Sequence, residues 1–206
     1  MQAAPEERID GRRARGERTR AAVVDALLDL IEEGDLGPTA ERVAARAGVS
    51  LRLVFHYFAD LESLHTAAAD RQIERLAPLL RPLSDAGTLA ARLGAFVRQR
   101  AMLWERIAPV RRASLLREPG SPEIRRRLVH AAELERGQIA YVFRHEIEAR
   151  RGRARTILSN ALEAAASFQS WDQLRRRQGL SVEQAKAVLL FTLRAVFRSP
   201  PATAAL

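Results

Sequence analysis

Thr39 to Leu64 reads TAERVAARAGVSLRLVFHYFADLESL. Thr39 follows Pro38 and suits the N-cap of a short helix whose inner side carries Val43, Ala44 and Ala47. Gly48 ends that helix, because a turn this tight needs a residue that tolerates positive φ. Ser50 caps a second helix running to about Tyr57, and Asp60 caps a third that starts at Leu61. Ala44 is small where two helices must cross, and Val49, Val54 and Phe58 act as apolar wedges between them. Leu51, Arg52, Phe55 and His56 are left on the outer face of the second helix. Two short helices joined by a Gly-containing turn form the arrangement by which a small domain sets a helix into the major groove of DNA.

Outward from this stretch the pattern stays helical. Val24, Leu27, Leu28 and Ile31 share one face of a first helix from about Thr19 to Glu33, and Gly34 stops it. After Leu64, Pro78 and Pro82 end the fourth helix, and the turn SDAG leads into a helix from Thr88 to about Ile107. Pro109 stops or kinks that helix ahead of a short piece from Val110 to Arg117. The loop EPGSP precedes a long helix from about Pro122 to Ala149, and ARRGR makes a turn. Two last helices, from about Ala154 to Arg177 and from Ser181 to Arg198, are separated by Gly179 and the Ser181 cap. No segment of alternating polarity argues for a sheet. The expectation is an all-α protein: an Arg-rich, disordered arm over residues 1–18, a three-helix helix-turn-helix domain over 19–65, and a larger helical bundle over 66–206.

Composition narrows the class. With 206 residues and 47% hydrophobic content the chain can bury a large core. No window approaches an uncharged apolar span, and the N-terminus lacks the apolar stretch of a secretory signal, so a cytoplasmic protein without a membrane partner is expected. The absence of cysteine excludes disulfides and thiolate metal sites. The net charge of +9 is unevenly spread. Residues 1–65 carry nine Arg against twelve acidic residues, a net of −3, whereas residues 66–206 carry 25 basic against 13 acidic, a net of +12. The candidate DNA module is the acidic half, although six Arg lie between Arg8 and Arg20.

From Thr19 to Leu64 the chain resembles the tetracycline-repressor (TetR) family of bacterial transcription regulators. TRAAVVDALLDLIEEGD is similar to the family's first helix, TAERVAARAGVS to its helix and turn, and VFHYFADLESL to the end of its recognition helix and the start of helix four. The resemblance implies a DNA-binding head followed by a helical domain that dimerises and holds a small-molecule effector. It implies a repressor that binds a palindromic double-stranded operator as a homodimer and is released by the effector. On the same basis Thr39 and Ser50 face phosphates from helix N-termini, Leu51, Arg52, Leu53 and His56 approach base edges, and Tyr57 hydrogen-bonds a phosphate. Phe55 stands where the family usually has a phosphate-binding Tyr, and Leu61 where a phosphate-binding Lys is common. Arg52 occupies a position often held by Gly, which makes it the first choice for a bidentate guanine contact. The Arg8 to Arg20 arm is then either a substitute for those contacts, entering a minor groove or tracking the backbone, or a solvated disordered tail.

In the larger domain, Phe96, Arg100, Met102, Trp104, Tyr141, Phe143, His145 and Trp171 are the candidates for lining an effector pocket, although helical spacing also produces such stripes in ordinary cores. Ala161 and Ala165 permit close helix approach beside Phe168, and AVLLFTL, with Val188 and Phe191, is apolar around nearly its whole circumference. Pairing of these two last helices with their copies is expected to form a twofold dimer. Four His without ligand spacing, no Gly-rich phosphate loop and no nucleophile–base constellation argue against a metal, a cofactor or an enzyme. The competing reading is a helical effector-sensing or interaction protein that has lost specific DNA binding, consistent with the acidic head, Phe55 and Leu61.

Overall fold

The structure, a computed structural model, describes residues 5–199. Every regular element among them is helical. Helix α1 runs from Pro5 to Glu32. It therefore starts well before Thr19, and the segment from Pro5 to Arg18, expected as a disordered arm, is helical; residues 1–4 of that arm lie outside the described residues. The reason is local. Arg, Glu and Ala are strong helix formers, and a proline in the first turn needs no N–H partner. At Thr19 the helix is already under way, and the Thr19 hydroxyl donates to the Arg15 carbonyl one turn back, at 3.0 Å. Gly34, at φ 101°, follows the end of the helix.

The chain divides into two compact units. The first comprises residues up to Ala77 together with Pro109–Arg125. It contains α1, α2 (Ala40–Ala47), α3 (Leu51–Tyr57) and α4 (Leu61–Leu76). The expected boundary after residue 65 is thus displaced to Ala77, because α4 buries Leu64 and Ala68 in the same core as Leu27, Leu28 and Ile31 of α1 and Val43, Val54 and Phe58. Val110 and Ala113 join that core from a distant part of the sequence. Polar contacts add to this packing. Asp25 of α1 takes Arg71 and Arg75 of α4, at 3.3 and 2.8 Å. Arg117 donates to the Leu36 carbonyl at 2.7 Å, and Ser121 donates to Glu62. His65 of α4 is only 7% exposed. Burial, reinforced by the Arg117 charge, pushes its imidazole down to about 4.

The second unit comprises Pro78–Ala108 and the residues from Arg126 onward. Helix α5 (Leu89–Arg117) carries Pro109 in its interior, so the proline neither stops the helix nor leaves Val110–Arg117 as a separate piece. Proline forfeits one ladder bond. Its neighbours Ala108 and Val110 are buried, and that packing holds the helix together across the defect. The helix expected from Pro122 to Ala149 is two, α6 (Pro122–Val142) and α7 (Arg144–Glu148). The break falls at Phe143, at φ −112° and ψ 24°, whose fully buried ring lies 5.3 Å from Phe96 and 5.1 Å from Phe197. The helix expected from Ala154 to Arg177 also divides, into α8 (Gly152–Ala165) and α9 (Phe168–Asp172), with a π-type turn over Gln173–Arg177. Ser167 makes that division, its hydroxyl accepting from the Ser170 amide at 3.2 Å as an N-cap. Helix α10 (Val182–Arg198) begins at Ser181 with a reciprocal capping box to Gln184.

Candidate nucleic-acid interface

The α2–turn–α3 segment is built from caps. Thr39 is extended, and its hydroxyl accepts from the Arg42 amide at 3.4 Å. Gly48 is left-handed, at φ 68° and ψ 31°, and its N–H reaches the Ala44 and Ala45 carbonyls that the ending helix leaves without partners. Two residues later Ser50 starts α3 by accepting from the Leu53 amide at 3.2 Å. Helix α3 is short, and two apolar side chains fix its roll. Val54 and the following Phe58 are buried against the core, which leaves Arg52, Phe55 and His56 exposed. Leu51, Leu53 and Tyr57 are half-buried. One helical face is therefore turned to solvent with a guanidinium, an imidazole and an aromatic ring side by side.

Tyr57 has a further neighbour. A β-carbon at Gly16 of α1 would stand 3.4 Å from the Tyr57 hydroxyl oxygen, and one turn further along α1 the Arg20 guanidinium lies 5.0 Å from the centre of the Phe58 ring. Helix α1 thus lies along the C-terminal end of α3 on its Gly16–Arg20 face. This contact is illegible in the sequence, where the segment has no apolar periodicity. Its one signal is a glycine inside an otherwise strong helix-forming run.

The cations of α2 are engaged. Arg42 pairs with Asp35, and Arg46 grips Glu33 through both Nη atoms. The hydrogen bonds from Arg46 hold the Glu33 carboxyl below its ordinary range. At the start of α4 the Ser63 amide donates to Asp60 at 2.7 Å, and this bond lowers the Asp60 carboxyl. Leu61, the next residue, is half-buried against the core and carries no charge toward solvent.

In the second unit, five of the effector-pocket candidates are buried. Arg100 stacks over Phe96 and Trp104, at 4.8 and 5.2 Å, and Phe96 meets Phe143 edge to face. Trp171 is buried on α9, its indole donating to Glu105 at 2.8 Å while Arg175 holds the same carboxylate at 2.9 Å. Met102 is half-buried, and Tyr141 and His145 are at the surface, Tyr141 with 51% of its area exposed. Those last two do not line an interior site in this chain.

The residues expected to pair copies of the chain also separate. Phe168 is 3% exposed and packs edge to face on Trp104 at 5.7 Å, so it belongs to the core of its own chain and not to an outer face. Ala161 and Ala165 are half-buried. Val188 and Phe191 lie on the outer side of α10, Phe191 with 74% of its area exposed. A groove along α10 is lined by Ala187, Leu190, Phe191, Arg194 and Ala195. Among the described residues no group of three or more acidic or imidazole side chains could hold a metal ion, and no helix is long and apolar enough to cross a membrane.

No family model and no curated protein matches the chain. Among solved structures it is similar to a transcriptional regulator from Rhodococcus sp. Rha1, with 20% sequence identity and a TM-score of 0.66 over 89% of this chain and 96% of that one. The two share an all-α fold.

Proposed function

We propose that this protein is a transcription regulator of the tetracycline-repressor type, which binds a palindromic operator in double-stranded DNA as a homodimer and leaves it when a small-molecule effector binds. The observation that carries the reading is the α2–Gly48–α3 geometry. Two capped helices share a left-handed glycine turn, and the second is rolled by Val54 and Phe58 so that Arg52, Phe55 and His56 face outward. Arg52 is the residue assigned to base recognition, with Leu51, Leu53 and His56 beside it and Thr39, Ser50 and Tyr57 on the backbone. A bidentate guanine contact is worth about 1–3 kcal/mol of discrimination. The likeness to a solved transcriptional regulator supports the same reading at the level of fold.

The effector site is assigned to the second unit, around Phe96, Arg100, Trp104, Phe143 and Trp171. Dimerisation is assigned to the outer faces of α8 and α10, where Phe191, Val188 and the exposed Ile157 form an apolar surface that a second copy would cover. Binding of the effector shifts the population toward a state with lower operator affinity, by as much as the effector prefers that state.

The test is a titration of the full chain against the DNA flanking its own gene and against scrambled duplex, at two salt concentrations. A preference for the former that Arg52→Ala reduces supports the reading; no preference, and no change on Arg52→Ala, removes it. That second outcome would favour a helical sensor or interaction protein without specific DNA binding, a reading to which the paired state of Arg42 and Arg46 lends its weight.

A further inference from the structure

The helix-turn-helix region is poorly supplied with phosphate-binding charge. Residues 21–65 contain three Arg against eight acidic residues, a net of −5. Two of the three, Arg42 and Arg46, are held by Asp35 and Glu33, and Arg52 alone has no acidic partner among the described residues. Of the helix N-termini in this region, only that of α3, capped by Ser50, is free of acidic residues in its first turn. The start of α2 carries Glu41 beside its Thr39 cap, and the start of α4 has Asp60 on its Ser63 amide with Glu62 following. A duplex carries one negative charge per ~1.7 Å of axis, and affinity for it comes largely from cations that displace its counterions.

The N-terminal part of α1 has what this surface lacks. Residues 11–20 hold five Arg against the single acid Glu17, a net of +4. Arg13, Arg15 and Arg18 are exposed and make no ion pair among the described residues. They stand on a helix 28 residues long, about 42 Å at 1.5 Å per residue, and not on a loose tail. That helix is fixed beside α3. Gly16 meets the Tyr57 hydroxyl and Arg20 covers the Phe58 ring, both at the C-terminal end of α3. Arg13, three residues before Gly16, lies on the same face and continues past that end, whereas Arg15 and Arg18, themselves three residues apart, share the adjoining, outward face of the same helix.

We propose that the N-terminal part of α1 is a second DNA-contacting element, in which Arg13, Arg15 and Arg18 bind the phosphate backbone of duplex DNA beside the site occupied by α3. The inference rests on the reading of α3 as the helix that meets DNA. It assigns the two elements different work: Arg52 reads bases, and the α1 arginines supply affinity that is blind to sequence. The helix orders the backbone that carries these cations before binding, so the contact costs only their side-chain rotamer freedom.

Fluorescence-anisotropy titrations of the full chain separate the possibilities. The probes are duplex from the region flanking its own gene and a scrambled duplex, each between about 50 and 200 mM salt. The variants are Arg13→Ala/Arg15→Ala/Arg18→Ala, the corresponding triple Lys substitution, and Arg52→Ala, with circular dichroism checking that helicity is kept. The triple Ala variant is expected to lose affinity for both duplexes alike, with the slope of log affinity against log salt shallower by about 2 to 3, as three lost phosphate contacts require. The triple Lys variant keeps the wild-type slope, because the charge is retained. Wild-type affinity and slope in the triple Ala variant would overturn the proposal. If the triple Ala variant weakens binding while Arg52→Ala changes nothing, the α1 element stands and the base-reading role of α3 falls. A wild-type chain that binds neither duplex overturns both.

Discussion

Arg92 and Glu146 meet through two parallel N–H···O bonds, and the same Arg92 guanidinium donates to the Val142 carbonyl at 2.6 Å. Arg92 is 5% exposed on α5, and the three acceptors lie at the end of α6 and on α7, so one side chain ties the start of α5 to the break at Phe143.

Glu146→Gln should therefore destabilise the protein by about 2–4 kcal/mol, since it leaves a buried guanidinium short of its counter-charge while Glu146 itself keeps some contact with water. Urea denaturation measures this. Burial alone would raise the Glu146 carboxyl, but the hydrogen bonds from Arg92 and the nearby positive charges outweigh it and hold it below its ordinary value. Its stabilising contribution is present above the ordinary carboxylate range and is lost as pH falls through the lowered value. An unchanged midpoint in the variant at neutral pH would contradict the assignment.

The buried His65 gives a second pH window with a different position. Its folded value of about 4 lies below the ordinary 6.5, so the fold favours the neutral ring. Stability is full above about pH 7 and declines as pH falls through 6.5 toward 4, by roughly 3 kcal/mol in all. Among the described residues, His65 Nε2 is buried without a hydrogen-bond partner. His65→Leu should consequently hold its stability near neutral pH and show a flatter profile from there down to the folded value than the wild type.

Gly48 at φ 68° is a position where a side chain meets backbone strain and not crowding, for a β-carbon there would find no neighbouring segment within 4 Å. Gly48→Ala should lower stability by about 1–2 kcal/mol, and Gly48→Asn by less, because Asn tolerates the left-handed region. Thermal unfolding would rank the three. Equal stability of Ala and Gly at this position would mean that the turn relaxes to another geometry.

Phe191 and Phe168, two aromatics both assigned by sequence to a dimer surface, should behave in opposite ways. Phe191→Glu removes an exposed ring, so helicity and monomer stability stay near wild type while the mass in sedimentation falls from dimer to monomer. Phe168→Ala empties a site against Trp104 and should cost about 3–5 kcal/mol. A wild-type chain that sediments as a monomer would remove the proposed role of Phe191.

The caps make the helix-turn-helix legible. Thr39, Gly48, Ser50 and Asp60 act through their own backbone neighbours, and each does locally what its residue type dictates. Where long-range packing decides, the sequence is silent or misleading. Pro109 stays within α5 because buried neighbours hold it, and Phe143 interrupts a periodic run because its ring is needed between Phe96 and Phe197. Phe168 is invisible as a core residue until Trp104, far away in sequence, is placed beside it. The same holds for the candidate interface. The exposure of Arg52 follows from the α3 pattern, whereas the contact of Gly16 with Tyr57 depends on where α1 lies.

On the proposed function, the ion pairs of Arg42 with Asp35 and of Arg46 with Glu33 also bear on the economy of the protein in the cell. Every regulator competes against the vast excess of unrelated chromosomal sequence, and retention there is almost wholly a matter of uncommitted positive charge. On the proposed function, the α2 cations, already paired with Asp35 and Glu33, add little to that retention, and the α1 arginines that make no ion pair among the described residues set how long the protein dwells on such sequence.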